Sequence, residues 1–441
     1  MVMANATMTL EAIVDGEATS RTTKHHVNRP DETYSDDPDL ASLEGEVRAL
    51  SVPEQTSVDG KVFPLLLGPV DEAASEADRS RFVEHYRKEL LALVRSHGAV
   101  MLRGWNGASP QAFADLTAAM SMGTTDMRCS AGPRTNVARS GEATVFTANE
   151  APPDQNIPFH HEMAQCDLPP DVVLFFCEVA ARQGGATPLI KSHVAASYLR
   201  ERHAPVAHKL SQLGVRYVRV MPRETDASSA LGKSWKVCVA PSVEEAEAKM
   251  RAEGTAWKWL PGGMLHTISK PVPALILEER SGREVFFTAA ESTFNVLTDC
   301  VHSSGSVGSH GSNAPTRPMK ALIYGDGTEL DDATRAALVD VAQFMQAERT
   351  VVPWQLGDVM LIDNASVMHA RDNFVAPRRI LASLVGQLEK ASHLRPRLAA
   401  SIPLQGVDRP TCSTCLNQGA ACKESFCSPS STMEELPTLS V

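Results

Sequence analysis

A histidine and a glutamate lie two positions apart in the apolar stretch IPFHHEM, which covers residues 157–163. In a β-strand, His160 and Glu162 would point to the same face, because side chains at i and i+2 of a strand share a face. An imidazole nitrogen and a carboxylate oxygen on one face can bind the same metal ion. Such a pair also arises by chance as a hydrogen-bonded surface pair, so it indicates a metal site only when further ligands are present.

A third candidate ligand, His369, lies far along the chain in the stretch GDVMLIDNASVMHARDNFVAPRRIL. Two histidines and one carboxylate on one side of a metal leave three coordination positions open, as in the facial triad of non-haem Fe(II) oxygenases. Arg379 follows at the start of the apolar stretch ILASLVG, where a guanidinium needs an anionic partner and its planar shape suits a carboxylate. The open positions can take a chelating 2-oxo acid and then oxygen, with Arg379 at the far carboxylate of that acid.

The elements that must position these residues are mainly strands with helices around them. Hydrophobic periodicity predicts helices in SRFVEHYRKELLALVRSHG, closed by Gly98, and in SPQAFADLTAAM, capped by Ser109. It predicts strands in TVFTANE, VVLFFCEVA, ATPLIK, PALILEE, DVMLIDNASVMHA and RRILASLVGQL. We therefore expect a disordered extension over residues 1–55, one mainly β domain with flanking helices (α+β) over 56–395, and a linker with a cysteine-rich tail over 396–441.

Composition narrows the class of protein. The chain has 441 residues, 43% of them hydrophobic, and a formal net charge of −11, which argues against a large nucleic-acid surface. The first twenty residues have no basic stretch followed by a long apolar run, and no apolar stretch is long enough to span a bilayer. Five cysteines scattered through core-like sequence suit reduced thiols, so we expect a cytoplasmic protein with no membrane or nucleic-acid partner.

Four stretches together resemble the taurine dioxygenase and clavaminate synthase group of Fe(II)/2-oxoglutarate-dependent oxygenases, and most closely its clavaminate-synthase-like branch. They run in family order over roughly residues 60–390, and they are FTANE…IPFHHEM, LFFCEVAARQGGATPL, WLPGGML and WQLGDVMLIDNASVMHARDNFVAPRRIL. The resemblance implies a distorted double-stranded β-helix, a jelly-roll-like barrel with the iron at its mouth.

The same resemblance assigns roles to individual residues. His160, Glu162 and His369 match the iron ligands. Arg379 and Thr187 match the residues that bind the far carboxylate of the cosubstrate 2-oxoglutarate. Two neighbours are expected to point away from the site, His161 because it fills the variable middle position and Arg378 because side chains alternate along a strand. The implied reaction is oxidation of an unactivated C–H bond by O2, as hydroxylation, desaturation or ring closure, with 2-oxoglutarate converted to succinate and CO2. The carboxylate ligand argues against halogenation, because related halogenases lack it.

Three residues are candidates for contact with the substrate, for which we expect an amino acid or a small organic acid. Asn149 and Glu150 precede the ligand strand and can bind polar substrate groups, although they can equally cap turns. Arg371 lies two residues after His369 and would share its face if the strand continues. It would then meet an anionic substrate, or it would form a surface salt bridge instead.

The tail carries four cysteines at short spacing, Cys412, Cys415, Cys422 and Cys427. Four thiolates can bind zinc tetrahedrally. Because the loops between them are tighter than in common zinc modules, we favour free or redox-active thiols over zinc.

Two other functional classes remain open at this point. A catalytically silent barrel can serve as a small-molecule sensor, although such a copy would be free to lose the triad and the arginine. A metal-dependent hydrolase or isomerase can use the same barrel, but it has no obvious use for Arg379 and Thr187.

Overall fold

The computed structural model describes residues 38–71, 75–105, 109–120, 136–141, 143–148, 151–166, 169–226, 233–289, 322–386 and 394–395. Two short 3₁₀ helices, Pro38–Leu43 and Pro261–Gly263, accompany the longer elements. The α-helices within this part of the chain are Glu76–His85 (α1), Arg87–His97 (α2), Pro110–Met120 (α3), Ser192–Arg202 (α4), Ala204–Leu213 (α5), Trp235–Cys238 (α6), Val243–Ala252 (α7) and Asp332–Ala347 (α8).

Strands dominate the order of elements, as the periodicity predicts. Those of the first half are Val47–Leu50 (β1), Thr56–Val58 (β2), Lys61–Phe63 (β3), Leu65–Pro69 (β4), Ala99–Leu102 (β5), Asn136–Ser140 (β6), Ala143–Thr147 (β7), Ile157–His160 (β8), Val172–Val179 (β9), Gln183–Gly184 (β10) and Leu189–Lys191 (β11). Those of the second half are Val215–Met221 (β12), Ala256–Leu260 (β13), Met264–Ile268 (β14), Leu275–Glu278 (β15), Arg283–Phe286 (β16), Leu322–Tyr324 (β17), Val359–Asp363 (β18), Val367–Arg371 (β19), Phe374–Val375 (β20), Arg379–Val385 (β21) and Leu394–Arg395 (β22).

Two sheets enclose the part of the core that carries the candidate site. The large sheet has eight strands in the order β1-β4-β5-β18-β9-β21-β7-β6, and a small sheet has the order β11-β19-β8. Apolar side chains of both sheets meet in one cluster, here called the inner core, in which Leu189 and Val367 of the small sheet pack with Phe175, Met360 and Ile380 of the large one. The small sheet, which bears the candidate ligands, is thereby fixed against the large sheet by burial of apolar surface.

The opposite face of the large sheet is covered by helices. Residues of β9 alternate between the two sides, with Phe175 in the inner core and Leu174 and Phe176 in a second cluster that includes Leu90 of α2 and Phe113 of α3. Because both faces of β9 are buried, its sequence is an almost unbroken apolar run rather than an alternating one. The helices therefore serve as the outer layer that makes the central strands stable.

A separate sheet, β13-β14-β12-β17, lies in the second half of the chain. The stretch WLPGGML forms the turn of its β13–β14 hairpin, where Gly262 and Gly263 have positive φ. One face of this sheet packs with α6 and α7 through Trp235, Met250 and Trp257. This part of the chain is a packed hairpin module.

The structure confirms both helix boundaries that the sequence predicts. Gly98 ends α2 in the left-handed conformation with φ +86°, and the Ser109 hydroxyl accepts a hydrogen bond from the amide of Ala112 at 3.0 Å. The expected boundary at residue 55 lies too late, because β1 pairs with β4 in the large sheet and Leu43 is fully buried. No helix within the described ranges is long and apolar enough to cross a membrane.

Candidate active site

The three predicted metal ligands converge at the junction of β8 and β19. His160 ends β8 and lies directly opposite His369 in the antiparallel pairing of the two strands. One ligand atom from each of His160, Glu162 and His369 lies within 4.8 Å of the others, and Nε2 of His369 is 3.9 Å from a carboxylate oxygen of Glu162. Two imidazoles and one carboxylate at this separation form a donor set that suits Fe(II) and needs only a small closure around the ion.

Neighbouring groups fix the orientation of the two histidine rings. Nδ1 of His160 lies 2.8 Å from the carbonyl oxygen of Pro158, so with a proton on Nδ1 the lone pair of the ring lies on Nε2, the atom that would bind a metal. The His160 and His369 rings are 4.3 Å apart, and the ring of Phe175 meets His369 edge-on at 5.2 Å. The two histidine rings therefore pack together, and His369 also packs against an apolar side chain of β9.

His161 points away from the triad, as expected. It is fully buried, its Nε2 lies 2.7 Å from the Ser192 hydroxyl, and its ring stacks on Phe287 at 4.2 Å. Burial holds the pKa of the His161 imidazole well below its usual range, with the nearby His160 adding to the effect. His161 is therefore a neutral side chain that binds the first residue of α4.

Glu162 lies beyond the last residue of β8, so the strand ladder does not hold it. Its main chain is bound instead by the side chain of Asn364, a residue in the turn between β18 and β19 that the sequence reasoning did not select. The signal available in the sequence was the polar pair in LIDNAS between two apolar strands.

Thr187 is buried just before β11, whose Leu189 pairs with His369. Its hydroxyl oxygen accepts a hydrogen bond from the indole N–H of Trp354 at 3.0 Å. A hydroxyl that accepts from an indole keeps its own proton for donation, which suits a carboxylate acceptor.

The structure does not bring Arg379 to the site. Its side chain is 46% exposed and forms a salt bridge with Glu178, with a nitrogen–oxygen distance of 2.8 Å. The pairing of β21 with β9 shifts register between Arg379 and Ile380, and it is Ile380 that faces the inner core. The expected orientation is therefore reversed, since alternation from Ile380 directs the side chain of Arg378 inward.

Arg378, which was expected to point away, lies instead against the loop before Thr187. Its side chain is half-buried, its Nε donates to the carbonyl of Gly185 at 2.7 Å, and its guanidinium lies 5.4 Å from the ring centre of Phe374. Burial, together with repulsion from Arg371, lowers the pKa of the Arg378 guanidinium to about 10. Its two Nη atoms make no hydrogen bond with any described residue, so this cation has donors to offer an anion.

The glycine pair of QGGATP makes room for this arginine. A Cβ on Gly185 would lie 2.7 Å from Cδ of Arg378, and a Cβ on Gly184 would lie 2.2 Å from the carbonyl oxygen of Asn373. Both glycines have φ near +70°, a backbone conformation that other residues rarely adopt. The motif therefore brings the loop before Thr187 against Arg378.

Arg371 is buried, and its guanidinium donates to the carbonyls of Ala151, Pro152 and Gln155. This placement matches neither role expected of Arg371, which were contact with an anionic substrate and a surface salt bridge. A bulge between His369 and Arg371 changes the register of the strand pairing, and backbone carbonyls accept the hydrogen bonds of the guanidinium. Arg371 instead fixes the turn that leads into β8 and His160.

Two further sets of candidates lie outside the described residues. These are the substrate candidates Asn149 and Glu150, and the tail cysteines Cys412, Cys415, Cys422 and Cys427.

Comparison with known proteins gives a family match and two curated relatives. The family described as "Taurine catabolism dioxygenase TauD, TfdA family" matches residues 67–384. The chain is 34% identical over 340 residues to the clavaminate synthase-like protein At3g21360 of Arabidopsis thaliana, covering 76% of this chain and 96% of that protein. It is 25% identical over 345 residues to the dapdiamide synthesis protein DdaC of Enterobacter agglomerans, covering 76% and 97%.

Solved structures are similar at a lower level. PvcB of Pseudomonas aeruginosa has a TM-score of 0.39 at 14% identity, over 73% of this chain and 85% of its own. AAD-2, solved with Mn(II) and N-oxalylglycine, has a TM-score of 0.43 at 12% identity, over 78% and 98%.

Proposed function

This chain belongs to the TauD, TfdA dioxygenase family and is a 2-oxoglutarate-dependent dioxygenase, and from that premise we propose that it oxidises a small polar metabolite by hydroxylation, desaturation or cyclisation. The reaction partners are the substrate, 2-oxoglutarate and O2, and the products include succinate and CO2. The observation that carries the proposal is the convergence of His160, Glu162 and His369 on one point between the two sheets. The proposed fold around them is a distorted double-stranded β-helix that includes β1, and therefore begins before residue 56, and that ends near residue 395.

Bound Fe(II) would supply the activation of O2, and the chain's own residues would supply the binding geometry. His160, Glu162 and His369 would hold the ion on one face, which leaves the other face for 2-oxoglutarate and O2. The apolar surroundings of His369, including Phe175, would limit access of water to that face.

For the far carboxylate of 2-oxoglutarate, the placement favours Arg378 with Thr187. Arg378 offers unsatisfied donors in a half-buried position, and Thr187 keeps a free hydroxyl proton after accepting from Trp354. A carboxylate is an acceptor of matching geometry for both groups. Arg379, with its salt bridge to Glu178 on the outside, has no such position.

The direct test is succinate release from 2-oxoglutarate under air, with and without Fe(II), in the presence of amino acids and small organic acids. We expect release that requires Fe(II) and that one class of polar metabolite stimulates. A protein that binds 2-oxoglutarate and Fe(II) but never releases succinate would instead be a small-molecule sensor. Turnover of a substrate without consumption of 2-oxoglutarate would indicate a hydrolase or isomerase.

A further inference from the structure

Asn364 lies in the turn between β18 and β19, and its side chain is buried to 1% exposure. Its Oδ1 accepts a hydrogen bond from the amide of Glu162 at 2.8 Å, and its Nδ2 donates to the carbonyl of Glu162 at 3.0 Å. One side-chain amide thus satisfies both backbone groups of a candidate metal ligand. Nδ2 also donates to the carbonyl of Pro170 at 2.9 Å, just before β9.

This contact compensates for the absence of a strand at Glu162. The strand β8 ends at His160, and the turn that follows contains Met163 with φ +57°, a conformation that costs energy for a residue with a side chain. A glutamate also reaches the metal through one more rotatable bond than an aspartate would. The carboxylate can therefore occupy a defined position only if its main chain is held from outside the strand.

The same turn also fixes the second histidine. Asn364 begins the three-residue connection to β19, its own amide donates to the carbonyl of Asp171 at 3.0 Å, and His369 follows on that strand. The side chain thus joins the turn that carries Glu162 to the strand that carries His369. Loss of this link would free the carboxylate while leaving the β8–β19 pairing of the two histidines in place.

We propose that Asn364 is a positioning residue that sets metal affinity by holding the main chain of Glu162 in register with His369. The inference rests on the proposed ligand set. Residues that hold metal ligands in place typically contribute about 10- to 100-fold to metal affinity.

The substitution Asn364→Asp tests this most cleanly, because it keeps the size of the side chain and one acceptor oxygen. It replaces the Nδ2 donor by a second acceptor, which then faces the carbonyls of Glu162 and Pro170 without a hydrogen bond. The probe is Mn(II) alone, titrated into metal-free full-length protein by calorimetry. We expect the dissociation constant for Mn(II) to rise by about 10- to 100-fold.

Gln55 provides a matched control. It is also buried to 1%, its Oε1 accepts from the amide of Val52 at 2.8 Å, and its Nε2 donates to the carbonyl of Pro64 at 2.8 Å. Gln55→Glu makes the same chemical change in a similar backbone clamp that touches none of the three ligands. It should lower the melting temperature while leaving the Mn(II) dissociation constant within about twofold of wild type. If either acidic variant fails to fold, Asn364→Ala and Gln55→Ala form the replacement pair.

A Glu162→Ala background separates this inference from the ligand set. In that background the Asn364 substitution should no longer change Mn(II) affinity, because the carboxylate it positions is gone. If Glu162→Ala weakens Mn(II) binding but Asn364→Asp does not, the positioning role is overturned and the ligand set stands. If Glu162→Ala binds Mn(II) as tightly as wild type, both are overturned.

Discussion

At the scale of single residues, the two adjacent arginines of PRRI point to opposite sides of the large sheet. Side chains alternate along β21, and because Ile380 faces the inner core, Arg378 is directed inward and Arg379 lies outside with Glu178. The wrong assignment came from the match to the family motif, which set the phase of the alternation so that Arg379 rather than Arg378 faced the site.

Replacement of the two arginines tests that assignment. Arg378→Ala removes the cationic partner of an enclosed carboxylate, which typically costs about 2–5 kcal/mol. At about 1.4 kcal/mol per tenfold, we expect the apparent KM for 2-oxoglutarate in the succinate assay to rise at least about tenfold. Arg379→Ala, the matched control, should change this KM little. The reverse ranking of the two variants would show that the outward arginine, and not Arg378, binds the cosubstrate.

His161 and Arg371 show which local properties sequence reasoning can and cannot supply. The family motif, in which His161 fills the variable middle position, correctly separated this residue from His160. The two-residue period of a strand suggested that Arg371 would share a face with His369, but its guanidinium binds three carbonyls of the turn before β8 instead. That outcome depends on the course of a loop more than two hundred positions away, which no local pattern encodes.

At the scale of elements, periodicity and caps predict several helices and strands, among them α2, α3, β9 and β21, whereas the pairing of strands does not follow from them. Gly98 and Ser109 mark helix ends through local chemistry that the sequence carries directly. The antiparallel register that sets His160 opposite His369 is a contact between distant segments. The ligand types were therefore predictable, and the convergence was expected only through the family resemblance.

The strand β11 carries a buried lysine, Lys191, whose positive charge destabilises the folded state. The Nζ atom of Lys191 lies 5.3 Å from the ring centre of Phe63, and burial lowers the pKa of the amine to about 8, against the attraction of Asp363. Below pH 8 the amine is protonated in the folded and unfolded chain alike, and the folded state bears the full desolvation cost. Between about pH 8 and 10.5 the unfolded chain binds more protons, so the free energy of unfolding rises with pH across this window.

Lys191→Met should therefore stabilise the protein at neutral pH. Lowering the pKa of the amine from 10.5 to about 8 corresponds to about 3 kcal/mol, which is an upper bound on the gain. Methionine is the replacement because it fills a similar apolar volume. Urea denaturation of wild type and variant at pH 7 and pH 10 measures the effect. We expect a gain of about 1–3 kcal/mol at pH 7 that shrinks at pH 10. A gain of equal size at both pH values would contradict the assignment of the cost to the buried charge.

At the scale of the whole molecule, the family match covers residues 67–384, and the cysteine-rich tail lies outside the matched residues. The strand Leu394–Arg395 lies after residue 384, where the family match ends, and it pairs with β15, which lies within the matched residues. The start of the fold was predicted too late, because β1 is short and its role depends on pairing with β4 rather than on its own pattern.

Truncation after residue 400 tests the role of the tail. The shortened chain keeps Leu394–Arg395 and should release succinate at a rate close to that of wild type. Its content of metals other than iron should equal that of wild type. Turnover and metal content, the latter by mass spectrometry, are measured on the same preparations. Loss of turnover together with loss of one bound zinc would show that Cys412, Cys415, Cys422 and Cys427 form a structural module instead.

The central claim is that His160, Glu162 and His369 bind one Fe(II) that 2-oxoglutarate then chelates. The most direct measurement is the visible spectrum of the metal-free protein after anaerobic addition of Fe(II) and 2-oxoglutarate. We expect a weak charge-transfer band that saturates at one Fe(II) per chain, is lost in His160→Ala, and persists in a folded His161→Ala variant. A band that survives His160→Ala and disappears in His161→Ala would contradict the ligand assignment.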